Sequence, residues 1–442
     1  MINHDFDSIM HNSKHGLNML ILLLPVTASL GAYIMPVKVG YFHLFGFRLL
    51  CIFLAVISIA KLDKKWWNNI ILRRYVLLGY LWMCWGLAGL FWTPSVHAGI
   101  IELAAIVFGF GLVIALCNLD CYGREGVELI RKGWVMAYIG TGLIAIWELA
   151  THKHLSGSYY VQRAAGYILD RSRIAISTFG NPNDYGAFIV LCLPFLLWSY
   201  ESKESRLARA AYVSLIVSSI ALVLYTSSRL ALIGILFQLG LYVFVVRPKL
   251  LWCVVTLILI AIMSIGVYYK HPTTTLPIMH KFRAIALGDT SVQTRINLTK
   301  NGMWLTYCSR GIGVGPAGFA ELVKSKDLPF STGYIANPHN FWVEVLAQYG
   351  VLVFSAVVSF LSRIVVIAIK TMRMDRRVIR SGYLDCVSVA VLIGVAGYVF
   401  AAAASSSYVK ESVNWMWLNS MAMMGGFLHR ETTLSRVEYR ST

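Results

Sequence analysis

The segment IANPHNFWVEVLAQYG, residues 335–350, sets a histidine at the mouth of an otherwise apolar run. Asn337 is a good N-cap and Pro338 suits a first helical position. The spacing therefore predicts a helix entered here, with His339 in its first turn. A helix N-terminus carries partial positive charge, which disfavours imidazolium and keeps His339 neutral near pH 7. A neutral imidazole can accept a proton, as a general base must. The competing reading is a histidine that merely caps the helix at a water interface. Asn340, Glu344 and Gln348 recur at i, i+4 and i+8. Such a polar stripe at membrane depth must face a cavity or a protein interior.

Cationic side chains punctuate three other segments. Arg229 opens the run SSRLALIG behind Ser227 and Ser228. Its planar fork of donors suits a phosphate, although an arginine there could equally snorkel to lipid headgroups. Arg171 and Arg173 lie just upstream of FGNPNDYGAF, where Asn183 can cap a helix. The stretch DTSVQTRINLTKNGMWLTYC, residues 289–308, reads as an amphipathic helix with Ile296, Met303 and Trp304 near one face and Arg295, Asn297, Lys300 and Asn301 elsewhere. Lying on a membrane surface, it would turn Arg295 and Lys300 toward headgroups or an anionic substrate. GIGVGPAGF follows. Its glycines could let backbone amides approach a phosphate, but no strand or βαβ unit accompanies them, so a dinucleotide fingerprint is excluded and a tight turn is the simpler reading. The sequence offers no paired-carboxylate site, no Asp-rich motif for a divalent metal and no Ser-His-Asp set. No metal and no cofactor is expected.

The elements that carry these residues are spans. Of 442 residues, 57% are hydrophobic and 14% charged, with mean hydropathy +0.65; soluble domains carry about 25% charged residues. A spanning helix needs about 20 mostly apolar residues. Twelve candidates occur, near Leu17–Met35, Phe45–Ala60, Tyr75–Trp92, Ala98–Leu116, Gly133–Ala150, Tyr185–Tyr200, Leu207–Tyr225, Arg229–Val246, Leu250–Tyr269, Gly350–Ile369, Leu384–Ala402 and Val413–Leu428. The first exceeds a signal-peptide core of about 7–15 residues and reads as a retained span. The expected fold is an all-α integral membrane protein, one polytopic domain over residues 1–442. The eight cysteines include no CxxC pair, which argues against disulfides and zinc.

Lys61, Lys64, Lys65, Arg73 and Arg74 follow the second span, and Lys370, Arg373, Arg376, Arg377 and Arg380 follow the tenth. Short cytoplasmic loops carry such excess, so even-numbered spans end inside and both termini are cytoplasmic. Two longer connections then lie outside, Thr151–Asp184 and residues 270–340. The second is basic, with Lys270, Lys281, Arg283, Arg295, Lys300, Arg310, Lys324 and Lys326 against Asp289, Glu321 and Asp327. Connections much longer than about 4–6 residues are usually functional or disordered. Together with a net charge of +18, this favours attraction to an anion, with acidic headgroups as the competing partner. Nucleic acid is not expected, since no soluble basic face exists.

Four of these pieces resemble the O-antigen ligase and polymerase superfamily of bacterial envelopes: TFGNPNDYGAF, TSSRLALIG, TRINLTKNGMW with GIGVGPAGF, and NPHNFWVEVLAQYG. The last fits a ligase pattern of His-Asn, nine residues, then Gly, here His339, Asn340 and Gly350. Val353 stands where that pattern often has Gly, Thr or Tyr. The resemblance covers most of the chain. It implies transfer of a glycan from undecaprenyl pyrophosphate to lipid A–core at the periplasmic face of the inner membrane, without nucleotide or metal and with inversion at the anomeric carbon. It also implies that His339 deprotonates or positions the acceptor hydroxyl while Arg229 and Arg295 hold the pyrophosphate. Asn340, Arg173, Asn183 and Lys300 complete the expected substrate contacts. A polymerase or a protein O-oligosaccharyltransferase of the same superfamily is the nearest alternative. A multi-pass transporter or flippase is the alternative from another class, although no internal repeat supports it.

Overall fold

A computed structural model of the chain describes residues 2–31, 37–39, 42–60, 65–155, 174–247, 290–325, 328–333, 335–374, 382–405 and 408–441. Helices dominate: α1 (Ile2–Leu30), α2 (Gly46–Ile59), α3 (Ile70–Gly89), α4 (Val96–Asn118), α5 (Arg124–Thr151), α6 (Pro182–Glu201), α7 (Arg206–Thr226), α8 (Arg229–Val246), α9 (Thr290–Cys308), α10 (Gly318–Ser325), α11 (Phe341–Met372), α12 (Gly382–Ala404) and α13 (Ser412–Ser441). A short antiparallel hairpin, β1 (Val37–Val39) with β2 (Phe42–Leu44), interrupts them between α1 and α2.

The protein is an all-α membrane protein apart from that hairpin. Among the described residues, α3, α4, α5, α7, α8, α11 and α12 are long and apolar enough to cross a bilayer. The apolar part of α1 and the whole of α2 are shorter. Eleven of the twelve expected spans fall on helices α1–α8 and α11–α13; the ninth, Leu250–Tyr269, lies outside the described residues. Helix α6 is enclosed. Every residue from Tyr185 to Ser199 is buried, against α5, α7, α8 and α12. Lipid-facing helices instead expose Leu143, Val217, Ile233 and Leu236.

Helix starts are fixed by side-chain caps, which satisfy amides left without intrahelical partners. Asn69 accepts from the Ile71 and Leu72 amides, and Ser95 accepts from the Ala98 amide. The cap of α6 is Asn181, not Asn183. Its side chain accepts from the Asn183 amide at 2.8 Å, which leaves Pro182 at the first helical position. Tyr398 stacks on Trp417 at 4.3 Å between α12 and α13, and Trp134 on Phe195 at 5.2 Å between α5 and α6. Trp82, Phe110, Trp415 and Tyr349 interlock where α3, α4, α13 and α11 meet.

Helix α11 is broken at Gly350, whose backbone (φ 74°, ψ −176°) is not helical. The Gly-rich turn docks into that break. Val314 and Gly315 donate to the carbonyls of Ala347 and Gln348, and Val351 donates to that of Gly311. Gly311, Gly313 and Gly315 all have positive φ. The nine residues between Asn340 and Gly350 thus measure the distance from the helix start to the kink.

Candidate active site

The C-terminal ends of α7 and α12 and the N-terminal ends of α6, α8 and α11 meet beneath α9. They enclose a cavity of about 760 Å³ lined by Asn183, Arg229, Arg295, Lys300, His339 and Asn340, with Ser227, Thr226, Thr299, Val292, Ile296 and Leu230 among the rest of its wall. These six are the expected site residues other than Arg173, which lies outside the described residues. Residues 156 apart in sequence, from Asn183 to His339, therefore face one space.

Three helix N-termini border this space: Pro182 and Asn183 of α6, Ser227, Arg229 and Leu230 at the start of α8, and Pro338 to Asn340 at the start of α11. Each contributes the partial positive charge of a helix start. With two guanidiniums and an ammonium added, the cavity is built for an anion. Helix α9 supplies Arg295 and Lys300, held by a buried face on which Leu298 and Leu305 pack against Phe319 and Leu322. Asn301 ties α9 to the following loop: its amide donates to the Phe330 carbonyl at 2.7 Å. Lys300 lies over the Phe330 ring at 5.2 Å. Polar and apolar residues of α9 do not occupy separate faces as the sequence suggested. Val292, Arg295, Ile296, Thr299 and Lys300 share the cavity side, because the helix buries its other side in protein rather than resting on a membrane.

The approach to α11 differs from the sequence expectation. Asn340, not Asn337, is the N-cap; it accepts from the Trp342 and Val343 amides at 3.0 and 3.4 Å. Asn337 accepts instead from the His339 amide at 3.1 Å, closing an Asx turn. Two asparagines compete, and the turn draws Pro338 and His339 out of the helix. His339 takes a left-handed backbone, φ 50°, which costs a non-glycine residue about 1–2 kcal/mol. Such strain clusters at functional sites.

His339 is neutral for a reason other than the helix terminus alone. Burial disfavours its charged form, and the Arg295 guanidinium adds repulsion, so its pKa falls to about 4. Its Nδ1 is buried with no hydrogen-bond partner among the described residues, and so is the hydroxyl of Ser228 at the start of α8. Among the described residues, no carboxylate pairs with the imidazole as in a catalytic triad.

The polar stripe of α11 divides. Asn340 faces the cavity, whereas Glu344 and Gln348 are buried inside the protein. Glu344 accepts from the Tyr408 and Val409 amides at 3.1 and 3.5 Å. Gln348 donates to Glu102 of α4 at 3.0 Å. Glu102 also accepts from the Tyr349 hydroxyl at 2.7 Å and from the Ala317 amide at 3.0 Å, with Lys410 Nζ 3.6 Å away. This carboxylate locks the Gly-rich turn to the kink in α11 and was not legible in sequence. A second buried carboxylate, Glu148 at the end of α5, accepts from the Ile176 and Ser177 amides at 2.9 and 2.7 Å and pairs with His154 at 3.0 Å. It fixes the strand of chain beside Ile174, another wall residue.

Among the described residues, no group of three or more His, Cys, Asp or Glu side chains gathers as a metal site would require. Comparison with known proteins agrees with this architecture. Residues 213–358, from α7 to the first half of α11, match the family described as O-antigen ligase. Over 436 residues the chain is 22% identical to the teichuronic acid biosynthesis protein TuaE of Bacillus subtilis, covering 95% of this chain and 86% of that protein. The family match contains Arg229, Arg295, Lys300, His339 and Asn340 within its bounds. Both likenesses support a resemblance to the O-antigen ligase and polymerase superfamily, carried by the part of the chain that holds most of the cavity residues.

Proposed function

We propose that the protein transfers a glycan from a polyprenyl diphosphate carrier, undecaprenyl pyrophosphate, to an acceptor hydroxyl at the periplasmic face of a bacterial inner membrane. The observation that carries this reading is the convergence of Arg229, Arg295, Lys300 and three helix N-termini on the cavity that also holds His339. A diphosphate is the group that such a donor set binds best. Both chain termini lie on the cytoplasmic side, as the basic short loops require.

In the transfer, an acceptor oxygen attacks the anomeric carbon from the face opposite the diphosphate. The new glycosidic bond forms as the bond to diphosphate breaks, and configuration inverts. Arg229 and Arg295 stabilise the negative charge that grows on the departing diphosphate. The acceptor proton passes to His339. A base whose pKa lies near 4 takes that proton only late, when the attacking oxygen has already become acidic. Orienting the hydroxyl is therefore as much its task as accepting the proton. Diphosphate bound against Arg295 offsets the repulsion on His339 and strengthens it as a base. Asn340, Asn183 and Lys300 contact the same substrate.

For the acceptor, the ligase reading places lipid A–core there, in line with the description of the matching family. A polymerase reading, in which the acceptor is a second carrier-linked glycan, stands beside it, since the relative's name connects it with teichuronic acid biosynthesis and does not mention lipid A. Purified protein incubated with native lipid-linked glycan and lipid A–core decides between them. Glycosylated lipid A–core from wild type and not from His339→Ala is the ligase result. Lengthening of the carrier-linked chain with the lipid acceptor untouched moves the protein to polymerase. No transfer to either acceptor overturns the reading.

A further inference from the structure

The cavity wall formed by α9 does not stop at Lys300. On a helix of 3.6 residues per turn, the side defined by Val292, Arg295, Ile296, Thr299 and Lys300 continues through Met303 and Tyr307, with Trp304 at its edge. These three residues are 57%, 77% and 43% exposed, although the opposite side of the same helix is buried through Leu298, Asn301 and Leu305. The Trp304 and Tyr307 rings lie 6.1 Å apart, inclined by 34°. Beyond them a second, shallow cavity of about 520 Å³ is lined by Thr306, Tyr307, Cys308, Arg310 and Gly311. Tyr307 follows Lys300 by seven positions, roughly 10 Å along the axis.

We propose that Trp304 and Tyr307 form a stacking platform for the sugar units of the donor glycan, leading outward from the diphosphate end of the cavity. The proposal rests on the glycan-transfer reading of that cavity. A sugar ring has an apolar C–H face and a rim of hydroxyls. A large exposed aromatic takes the face while solvent or nearby polar groups keep the rim satisfied. Two rings side by side accommodate consecutive sugars, and neighbouring Thr306 and Arg310 offer hydrogen-bonding groups at the far end. Membrane-interface aromatics would also be exposed. Continuity with the Arg295 and Lys300 side of the helix is what assigns these two to the substrate.

Transfer kinetics in reconstituted vesicles test the idea, using native lipid-linked glycan either intact or trimmed to its carrier-proximal sugar. Trp304→Ala and Tyr307→Ala should each raise KM for the intact donor about tenfold, leave kcat within twofold, and leave KM for the trimmed donor unchanged. Tyr307→Phe, which keeps the ring, should behave as wild type. Free glycan released from the carrier should inhibit wild type competitively and lose at least tenfold in potency against the two alanine variants. This measurement stands even where the trimmed donor is a poor substrate. Equal KM increases for both donors, or unchanged KM and unchanged inhibition by free glycan, would overturn the platform while leaving the transfer reading intact. Wild-type protein that transfers no glycan at all would remove both.

Discussion

Gly350→Ala tests whether the kink in α11 is held as described. Gly350 has φ 74° and ψ −176°, a region that only glycine occupies readily, at a cost of about 1–3 kcal/mol for other residues. An added Cβ would also overlap the Gly311 carbonyl oxygen and meet the Ile312 carbonyl carbon and oxygen at 2.5 and 2.6 Å. These are backbone atoms of the docked turn, and relieving such overlap costs a further ~1–3 kcal/mol. The sum is a loss of roughly 2–6 kcal/mol. Gly311→Ala separates the two effects. Its φ is 81°, but its Cβ would meet nothing closer than Val351 Cγ2 at 3.4 Å, so only the backbone cost of about 1–3 kcal/mol remains. Gly240→Ala in α8 meets nothing within 4 Å and should be neutral or stabilising by up to ~1 kcal/mol. The assay is the monodisperse fraction of detergent-solubilised protein after graded heating. The expected order of stability is Gly240→Ala, then Gly311→Ala, then Gly350→Ala. Equal stability of the Gly311 and Gly350 variants would refute the docking of the turn into the kink.

Three other outcomes follow from the geometry. The His339 imidazole, followed by NMR, should titrate near 4. Because Arg295 opposes the protonated form, Arg295→Gln should move the midpoint upward, and an unchanged or lower midpoint would remove that coupling. Arg295→Lys should cut transfer by tenfold or more, since a point charge cannot reproduce a planar fork; undiminished activity would reduce Arg295 to a headgroup contact. Glu102→Gln should destabilise by about 1–3 kcal/mol, since a buried acceptor of several hydrogen bonds is replaced by a group that must also donate. Melting within error of wild type would show the clamp to be dispensable.

The sequence carried the span pattern and most of the polar residues that line the cavity because both are local signals. Apolar runs mark helices whatever surrounds them, and eleven of the twelve expected spans coincide with helices. Arg229 and Asn183 were legible because each opens such a run, and Arg295 because a polar helix stood out from its surroundings. What stayed hidden depends on distant partners. Glu102 sits in an apolar run and gives no sign that Gln348, 246 residues away, and Tyr349, 247 away, bond to it. The start of α11 was misplaced because Asn337 and Asn340 are equally good caps in isolation, and only the Asx turn at His339 decides between them. His339 was expected to be neutral, but from the helix terminus; the neighbouring charge of Arg295, 44 residues earlier in the chain, could not be read from spacing.

The central claim is that the cavity beneath α9 holds the carrier's diphosphate. Equilibrium binding of glycan-free undecaprenyl pyrophosphate to the purified protein, with undecaprenol as the uncharged control, tests it most directly. The claim predicts saturable binding of the diphosphate, weaker binding of undecaprenol, and at least a tenfold loss of diphosphate affinity in both Arg229→Gln and Arg295→Gln, with His339→Ala binding like wild type. Affinity that is the same for both lipids, or that survives both arginine substitutions, would contradict it.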